Sequence, residues 1–407
     1  MLALSITSAM SLPLVNAATY KVIDKGVASV KYTYAQQANN TGDMVLSGTN
    51  VYNFPVQFEY LSDTDFDSIQ NYALINSVIV HELEPIEDID ALKNGDPTPN
   101  DLAWAVRWLE TKNGNYLYQE VEGTVAMINS GINSDEVTVF DVPFESADVP
   151  TRSTLDIVKG ITDSGWLYGS ASSPYLPIDF INSNGDELNF WRSDFSSRAF
   201  YSPDRGITVF EIKPPSENNP DEGKNYGGVS GLLDVSETQI AVGFMSTEMN
   251  VNVQELIDSE TNSTGCENPD FIDDVPKDIC IQTHRDDGNT KAYQVRAFQS
   301  TITASGDVST ENLGLLVTPH EDDERTFESY AQAVNDDGVA VGFSHGWIDE
   351  AENDPAVNQG RSFYAVVYKD GKVTSFAQDH GVDFDSKAYD ISNLGIATGH
   401  VTKSING

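Results

Sequence analysis

The sequence contains little cysteine and little positive charge. Of 407 residues, two are cysteines, and 63 aspartates and glutamates outnumber 23 lysines and arginines, for a formal net charge of −40. Such a surface repels phosphate backbones and anionic membranes, so we expect no nucleic-acid partner. The charge is typical of a protein kept soluble in a salty medium, with attraction of cations or basic partners as the alternative.

Long apolar runs are also missing. No segment reaches the roughly 18 apolar residues that a membrane-spanning helix needs, so we expect no membrane span. Residues 1–17 (MLALSITSAMSLPLVNA) contain no charge and end in a small-x-small pattern typical of signal-peptide cleavage. The usual basic residues before the apolar core are missing, and a lone buried strand or helix is the alternative. We therefore predict an exported protein that is periplasmic, displayed at the cell surface or secreted.

The two cysteines lie close together in the sequence. Cys266 and Cys280 are 14 residues apart in a polar, turn-rich stretch. In an oxidising compartment this spacing favours a local disulfide. Two cysteines and the separate His284 do not have a recognised zinc-ligand spacing, so we expect a covalent bridge and no metal.

A nine-residue phrase recurs along the chain. It consists of a small apolar residue, then Asn, Ser or Thr, two spacers, a turn residue, three strand-like residues and glycine. Turn formers between strand formers predict a strand, a tight turn and a second strand. Because a lone hairpin is marginal in water, several hairpins must stack. Full copies end at Gly169, Gly243, Gly342 and Gly399, their turn glycines include Gly165, Gly338 and Gly395, and a weaker copy begins at Ala38.

A second phrase, Arg-x-Phe, opens an apolar strand after three of the copies. A turn glycine follows six to eight residues later, and Asp370-Gly371 is the strongest of these hairpin signals. Two hairpins per unit predict four strands, and four-stranded units repeated radially form a propeller. We predict an all-β, propeller-like array in which these residues have structural roles: Arg198 and Phe200, Arg296 and Phe298, and Arg361 and Phe363.

The repeat is interrupted in two places. We expect one propeller-like domain over residues 18–407, with a divergent region at 60–150 that carries short helices, one of them at residues 102–110, capped by Asn100-Asp101. A second insertion, residues 244–295, contains both cysteines. The chain stops eight residues after Gly399, so we expect an open propeller there, as in a fragment of a longer protein. We also expect the protein to be a monomer.

These two phrases together resemble a known repeat. A-x-x-I-N-x-x-G-x-x-x-G followed by an x-A-F strand resembles the HAF-type bacterial extracellular repeat, and residues 20–24 resemble its lead-in. The chain is thus similar to a family of secreted bacterial proteins of unknown function built from degenerate copies of this repeat. The resemblance covers most of residues 18–48 and 155–407, with little support between them. It departs from the pattern at Gln239, where glycine is typical, and at the histidine of His-Ala-Phe, which is arginine in all three copies. It implies no catalytic residues.

One segment matches a catalytic motif. Residues 342–346 (GFSHG) match the G-x-S-x-G nucleophile elbow of α/β-hydrolases, which needs a strand, a strained turn and a helix. Gly342 is already the last residue of a repeat phrase, and a polar stretch follows. We therefore expect Ser344 to be an ordinary strand-end residue.

Acidic clusters raise the question of calcium. Asp63-x-Asp65-x-Asp67 resembles the start of a calcium loop, but Ser68 and Leu74 stand at its sixth and twelfth positions, which excludes an EF-hand. We predict no cofactor and no metal. A looser calcium site at these residues, at Asp322-Asp323 or at Asp383-x-Asp385 is the open alternative.

The leading functional hypothesis is an exported, non-enzymatic repeat protein that binds a protein or glycan partner at the cell surface. It depends on export, repetition and the lack of a recognisable catalytic motif. One alternative is a secreted hydrolase or lyase acting on polysaccharide, since paired carboxylates need not be close in sequence. A structural envelope or matrix component is the other. The recurring arginines could form a ligand-facing ring, or lie over neighbours with their heads on carboxylates.

Overall fold

The computed structural model describes residues 25–26, 28–121, 123–142, 151–215, 218–219, 224–286, 291–320, 323–348, 360–376 and 385–402. The predicted signal segment and the lead-in at residues 20–24 lie outside the described residues. Strands predominate, but the described part of the chain also has six α-helices, so the fold is mostly β and not all-β. The strands form small antiparallel sheets.

Four of the sheets contain four antiparallel strands, and we call each of them, with its insertion, a unit. Unit 1 comprises β1 (Tyr32–Ala38), β2 (Met44–Thr49), β3 (Thr124–Asn129) and β4 (Ser134–Glu136). Unit 2 comprises β5 (Asp156–Ile161), β6 (Leu167–Ala171), an inserted hairpin of β7 (Tyr175–Ile181) and β8 (Glu187–Ser193), then β9 (Arg198–Ser202) and β10 (Phe210–Ile212). A short hairpin of β11 (Asn218–Asn219) and β12 (Lys224–Asn225) follows.

The remaining sheets repeat this plan. Unit 3 comprises β13 (Ser230–Val235), β14 (Ile240–Met249), β15 (Tyr293–Ile302) and β16 (Val308–Gly314). Unit 4 comprises β17 (Ser329–Val334), β18 (Ala340–Trp347), β19 (Arg361–Lys369) and β20 (Lys372–Ser375). A fifth sheet has two described strands, β21 (Ser386–Ile391) and β22 (Ala397–Val401).

Insertions leave units 1 to 3 at the same place, between the second and third strands of the sheet. Unit 1 inserts a 3-10 helix (Phe58–Tyr60), α1 (Asp63–Asn76), α2 (Ile89–Lys93) and α3 (Pro99–Glu110). Unit 2 inserts the β7–β8 hairpin. Unit 3 inserts α4 (Val251–Ile257), α5 (Pro269–Ile272) and α6 (Lys277–Asp286). All three insertions therefore start from the same end of their units, where the second strand of each sheet ends.

The helix expected at residues 102–110 is present as α3, but it begins earlier. The side-chain oxygen of Thr98 accepts the backbone N–H of Asp101, and Pro99 occupies the first helical position, where a missing N–H costs nothing. The cap is therefore Thr98 and not Asn100-Asp101.

The nine-residue phrase forms the hairpin between the first and second strands of each of the four units, and the hairpin of β21 and β22. In each copy the first and seventh residues pair across the hairpin, as Val235 and Ala241 do in unit 3. The side chain of the second residue accepts N–H groups within the turn: Asn335 Oδ1 accepts from Asp337 and Val339. The Asn, Ser and Thr residues of the phrase thus hold the turn.

Gln239 is the exception at the fifth position of the phrase, and it gives a prediction. Its φ of 60° lies in the left-handed region, where the other copies have glycine. Because a side chain costs about 1 kcal/mol or more in this region, we expect Gln239→Gly to stabilise the protein by about 1 kcal/mol. Urea unfolding measures the change.

The matched control is Gln299→Gly in the middle of β15, where glycine weakens a strand. That variant should be destabilised. A destabilised Gln239→Gly protein would contradict the assignment of strain at this turn.

The Arg-x-Phe phrase lies in the third strand of units 2 and 3 in the same register, although it opens only β9, and β15 begins three residues before Arg296. Each phenylalanine lies opposite the last glycine of the nine-residue phrase, and the alanine of each phrase donates its N–H to the first serine of the next unit. The residues that lie opposite each other are Gly169 and Phe200 in unit 2, and Gly243 and Phe298 in unit 3. The hydrogen bonds run from Ala199 to Ser230 and from Ala297 to Ser329, each at 2.9 Å.

Unit 4 departs from this register. Gly342 lies opposite Val366, and Ala365 is the residue that donates its N–H to the first serine of the next unit, Ser386, at 2.9 Å. Arg361 opens β19, but Phe363 lies three residues before the position that Phe298 occupies in unit 3. The predicted equivalence of Arg361 and Phe363 with the other two phrases is therefore wrong, because the segment of β19 that pairs in the same way lies three residues further along the strand.

Successive sheets stack and bury an apolar core between each pair. The core between units 1 and 2 includes Val45, Ile128, Val158 and Phe200. The core between units 2 and 3 includes Tyr201, Leu232 and Phe298. The core between units 3 and 4 includes Val242, Ala331 and Val366. The insertions of units 1 and 3 have their own cores, around Ile69, Trp108 and Leu109 and around Ile257, Cys266 and Ile281. Stacking thus supplies the burial that a single hairpin lacks.

The turns of neighbouring units are also linked by hydrogen bonds. The third residue of each phrase accepts, through its side chain, the backbone N–H of the third residue of the preceding phrase. We call this chain the turn ladder, and it runs through Asn40, Asp163, Glu237, Asp336 and Asn393. A continuous row of units follows from these links, while closure into a propeller stays a prediction.

Candidate functional site

The three insertions meet one another. The backbone N–H of Trp191 in the β7–β8 hairpin donates to the carbonyl of Tyr116, which follows α3, at 2.7 Å. The Trp191 ring also contacts Tyr60 edge-on, with ring centroids 5.3 Å apart. On the other side of the hairpin, the N–H of Ser193 donates to Gln282 Oε1 of α6 at 2.8 Å. One hairpin thus joins both helical insertions into a layer, which we call the insertion layer.

Ionisable side chains gather where the insertions meet. The Glu120 carboxylate accepts a hydrogen bond from the hydroxyl of Tyr175, and burial raises the pKa of both groups. Burial and the nearby Asp286 raise the pKa of Tyr116. Arg285 binds Asp286 through two hydrogen bonds, of 2.9 and 3.0 Å. We call these five residues the junction cluster; they come from all three insertions.

Arg285 has a structural role in this cluster. Its guanidinium also donates to the carbonyls of Asp194 and Ser193, at 2.8 and 3.0 Å, and the residue is 5% exposed. A buried guanidinium with this many partners holds the base of the hairpin against α6. The acids that could take part in chemistry are therefore Glu120 and Asp286.

The glycines predicted to be structural lie away from this cluster. Gly165, Gly338 and Gly395 lie in the turns before the second strand, while the insertions start after it. The ten residues of β14 separate the two ends of unit 3 by about 33 Å, at about 3.3 Å per residue. The repeat phrase thus builds one end of the array and the insertions build the other.

The three predicted arginines do not share one environment. Arg198 is fully buried, with its head on Glu211 at 2.5 Å and on the Gly227 carbonyl at 2.7 Å. Arg296 donates to the Phe327 carbonyl at 2.6 Å, and Arg361 lies over the Phe327 ring at 4.7 Å. A side chain buried like Arg198 cannot face a ligand, so the description of an arginine lying over neighbours fits it better than a ligand-facing ring.

The G-x-S-x-G segment does not form a nucleophile elbow. Ser344 is fully buried inside β18, where its hydroxyl donates to the carbonyl of His345 at 3.1 Å and accepts the N–H of Leu316 at 2.9 Å. A nucleophile elbow exposes its serine on a turn before a helix. The serine is therefore part of the sheet, as expected from the repeat.

The acidic motifs considered for calcium have other partners where the structure describes them. Asp65 forms a capping box with Ser62 at the start of α1, and Asp63 binds Lys93 at 2.8 Å. Asp323 binds Arg325 at 2.6 Å, while Asp322 and Asp383 lie outside the described residues. Asp385 accepts the N–H of Phe363 at 3.0 Å.

The predicted disulfide between Cys266 and Cys280 is present. His284 lies beside it and approaches the Thr264 carbonyl at 2.7 Å. Since both sulfurs are bonded to each other, neither can act as a thiolate ligand for zinc. The bridge joins the loop before α5 to α6 and stabilises the insertion of unit 3.

A polar cavity of about 220 Å³ lies between units 1 and 2. Its lining includes Glu136, which pairs with Arg152, and Asp141, whose pKa is raised by burial while it accepts the N–H of Ser153 at 2.7 Å. Neither carboxyl of the junction cluster, Glu120 or Asp286, lines this cavity.

None of the junction cluster was found from the sequence. Its members come from residues 116–120, 175 and 285–286, so no local spacing or motif joins them. Only contact between the insertions brings the side chains together. A search restricted to short motifs has no signal for such a site.

Comparison with known proteins places the chain in a family. Within the described residues, no helix is both long enough and apolar enough to span a membrane. No curated protein matches the chain, and no solved structure does either. The model of the family described as Protein of unknown function (DUF3466) matches residues 1–407. The chain therefore belongs to the DUF3466 family.

Proposed function

We propose that the chain is an exported, non-enzymatic repeat protein whose insertion layer binds a protein or glycan partner at the cell surface. The observation that carries the proposal is the common origin of the insertions between the second and third strands. Repeat proteins use a stacked scaffold to present loops on one face, and binding residues concentrate on such loops. In this proposal the chain is a monomer, needs no cofactor and is exported through residues 1–17.

A propeller-like arrangement of the units is part of the proposal. The first strands of successive units, such as β13 and β17, contact each other. First strands that lie side by side around a common axis are expected of a radial array. The insertion layer would then cover one end of that axis, and the turn ladder would circle the other.

Catalysis by the junction cluster is the second candidate. The observation in its favour is that two carboxyl groups, Glu120 and Asp286, lie in one cluster where burial raises the pKa of Glu120, since glycoside hydrolysis uses a pair of carboxyl groups in different environments. Against it, Glu120 is hydrogen-bonded to Tyr175 and Asp286 to Arg285. We therefore favour binding.

The proposal is tested on the full chain with a panel of purified surface polysaccharides and envelope proteins. Binding and turnover are measured on the same samples, by biolayer interferometry and by release of reducing ends. The double variant Leu117→Ser with Ile181→Ser changes exposed apolar side chains of the insertion layer. We expect saturable binding without turnover, weakened at least tenfold in this variant.

The matched control is Leu394→Ser with Ile396→Ser, which changes an exposed leucine and an exposed isoleucine in the β21–β22 turn at the other end. It should bind as the unchanged protein does. Turnover that disappears in Glu120→Gln would overturn the proposal in favour of the enzyme. Failure of every panel member to bind would leave a structural role in its place.

A further inference from the structure

Four large aliphatic side chains are exposed together at the end of α1. Leu74 is 62% exposed, Ile75 69%, Val78 75% and Ile79 73%. They fall within six residues, and we call them the aliphatic patch. Single exposed aliphatic residues are ordinary, but a contiguous group marks an interaction site far more often.

The patch lies on one side of a helical segment whose other side is already packed. Helical hydrogen bonding continues past α1, since the N–H of Val80 donates to the carbonyl of Asn76 at 2.9 Å. Residues three and four positions apart are neighbours on the surface of such a segment, as Ile75 is with Val78 and Ile79 and Leu74 is with Val78. The buried face of α1 consists instead of Phe66, Ile69 and Ala73. Folding of the insertion therefore does not need the patch.

The surroundings of the patch are strongly acidic. Residues 58–96, which include α1 and α2, contain ten aspartates and glutamates against one histidine, His81, and one lysine, Lys93. That lysine is already paired with Asp63 at 2.8 Å. Exposed Asp67 lies two helical turns before Leu74, and exposed Glu84 follows the patch in the chain. An apolar surface is thus framed by negative charge.

We propose that the aliphatic patch binds a basic amphipathic helix of a partner protein. This inference rests on the proposed binding function and specifies the chemistry of the partner. An amphipathic helix places apolar residues in contact with the patch, and lysines or arginines along its edges face the surrounding carboxylates. An anionic membrane is repelled by the same carboxylates. A second copy of the chain presents like charge against like charge, which disfavours self-association.

The test uses a 14-residue helical peptide of leucine and lysine, with all leucines on one face, and the full chain in 0.15 M NaCl. Titration calorimetry measures the Kd for the unchanged protein and for the double variant Leu74→Ser with Val78→Ser. We expect at least tenfold weaker binding in the variant. Asp67→Lys with Glu84→Lys should weaken binding to a similar extent, because it removes the charge complementarity.

Two controls separate specific docking from general attraction to an acidic protein. The variant Leu394→Ser with Val401→Ser changes exposed residues of the same types elsewhere and should bind like the unchanged protein. A peptide of the same composition with scattered leucines should bind at least tenfold more weakly. Equal binding of all protein variants, or of both peptides, overturns the proposal.

Three further results would also overturn it. Sedimentation could show a dimer that the patch variant abolishes, which assigns the patch to a second copy. Flotation with zwitterionic vesicles that depends on the patch assigns it to a lipid surface. A surface partner from the panel above that binds the patch variant unchanged refutes this inference alone, whereas a panel without any binder refutes the proposed function.

Discussion

Replacing Gly243 by alanine should prevent native folding, or lower the free energy of unfolding by more than about 4 kcal/mol. A Cβ at this position would lie 1.9 Å from the carbonyl oxygen of Gly231. The close approach arises because β13 bulges between Leu232 and Asp234, opposite Gly243. The position of the Cβ is fixed by the backbone of β14 and the oxygen belongs to the backbone of β13, so no side-chain rotation can relieve the clash.

Thermal unfolding followed by circular dichroism measures this effect. Gly131→Ala is the matched control, because no atom lies within 4 Å of its added Cβ and its φ is not in the left-handed region. That variant should be within about 0.5 kcal/mol of the unchanged protein. A Gly243→Ala protein that melts within a few degrees of the unchanged protein would show that the bulge can rearrange.

Acidification should destabilise the protein through His345, by up to about 3 kcal/mol between pH 6.5 and pH 4. Burial, aided by the nearby positive charge of Arg361, lowers the pKa of His345 to about 4. The residue is 6% exposed, its Nδ1 accepts the N–H of Glu328 at 2.9 Å, and its ring stacks on Phe363 at 4.1 Å. Protonation of Nδ1 would break that hydrogen bond.

The sign of the pH dependence follows from the two pKa values. Below pH 6.5 the unfolded chain binds a proton at His345 that the folded protein does not bind until about pH 4. The contribution is therefore complete above pH 6.5, falls as the pH decreases, and is lost below about pH 4. Carboxylates also titrate in this range, so the measurement compares variants.

The variant His345→Asn keeps an acceptor near the position of Nδ1 and cannot be protonated. Urea unfolding at several pH values should show a shallower loss of stability for this variant than for the unchanged protein. His400→Asn, at an exposed position of β22, is the control and should keep the original slope. Parallel slopes for all three proteins would contradict the assignment of this pH dependence to His345.

Local sequence signals predicted the hairpins well, because each depends on residues that are neighbours in the chain. The turn formers of the nine-residue phrase lie in turns, and so does the Asp370-Gly371 pair. Asp370 has a φ of 52° and Gly371 a φ of 70°. A positive φ or a side chain that accepts a backbone N–H two residues away is a short-range requirement. The mostly-β fold follows from these hairpins.

Signals that depend on register were less reliable. Arg361 and Phe363 match the Arg-x-Phe pattern, yet the position opposite Gly342 is taken by Val366, three residues after Phe363. Pattern matching cannot detect such an offset, since it is decided by which residue lies opposite Gly342. The β7–β8 hairpin and α6 were likewise missed as elements, and with them the surface that joins the insertions.

By itself, the sequence determined the repeating hairpins, the disulfide and the assignment of Ser344 to a strand instead of a nucleophile elbow, because each follows from local conformational preference or short spacing. Only the tertiary structure decided that three distant insertions meet in one layer, that Glu120, Tyr175 and Asp286 share a cluster, and that the aliphatic patch is exposed. Burial and contact between segments 50 to 170 residues apart depend on how the units stack, and no local pattern encodes that arrangement.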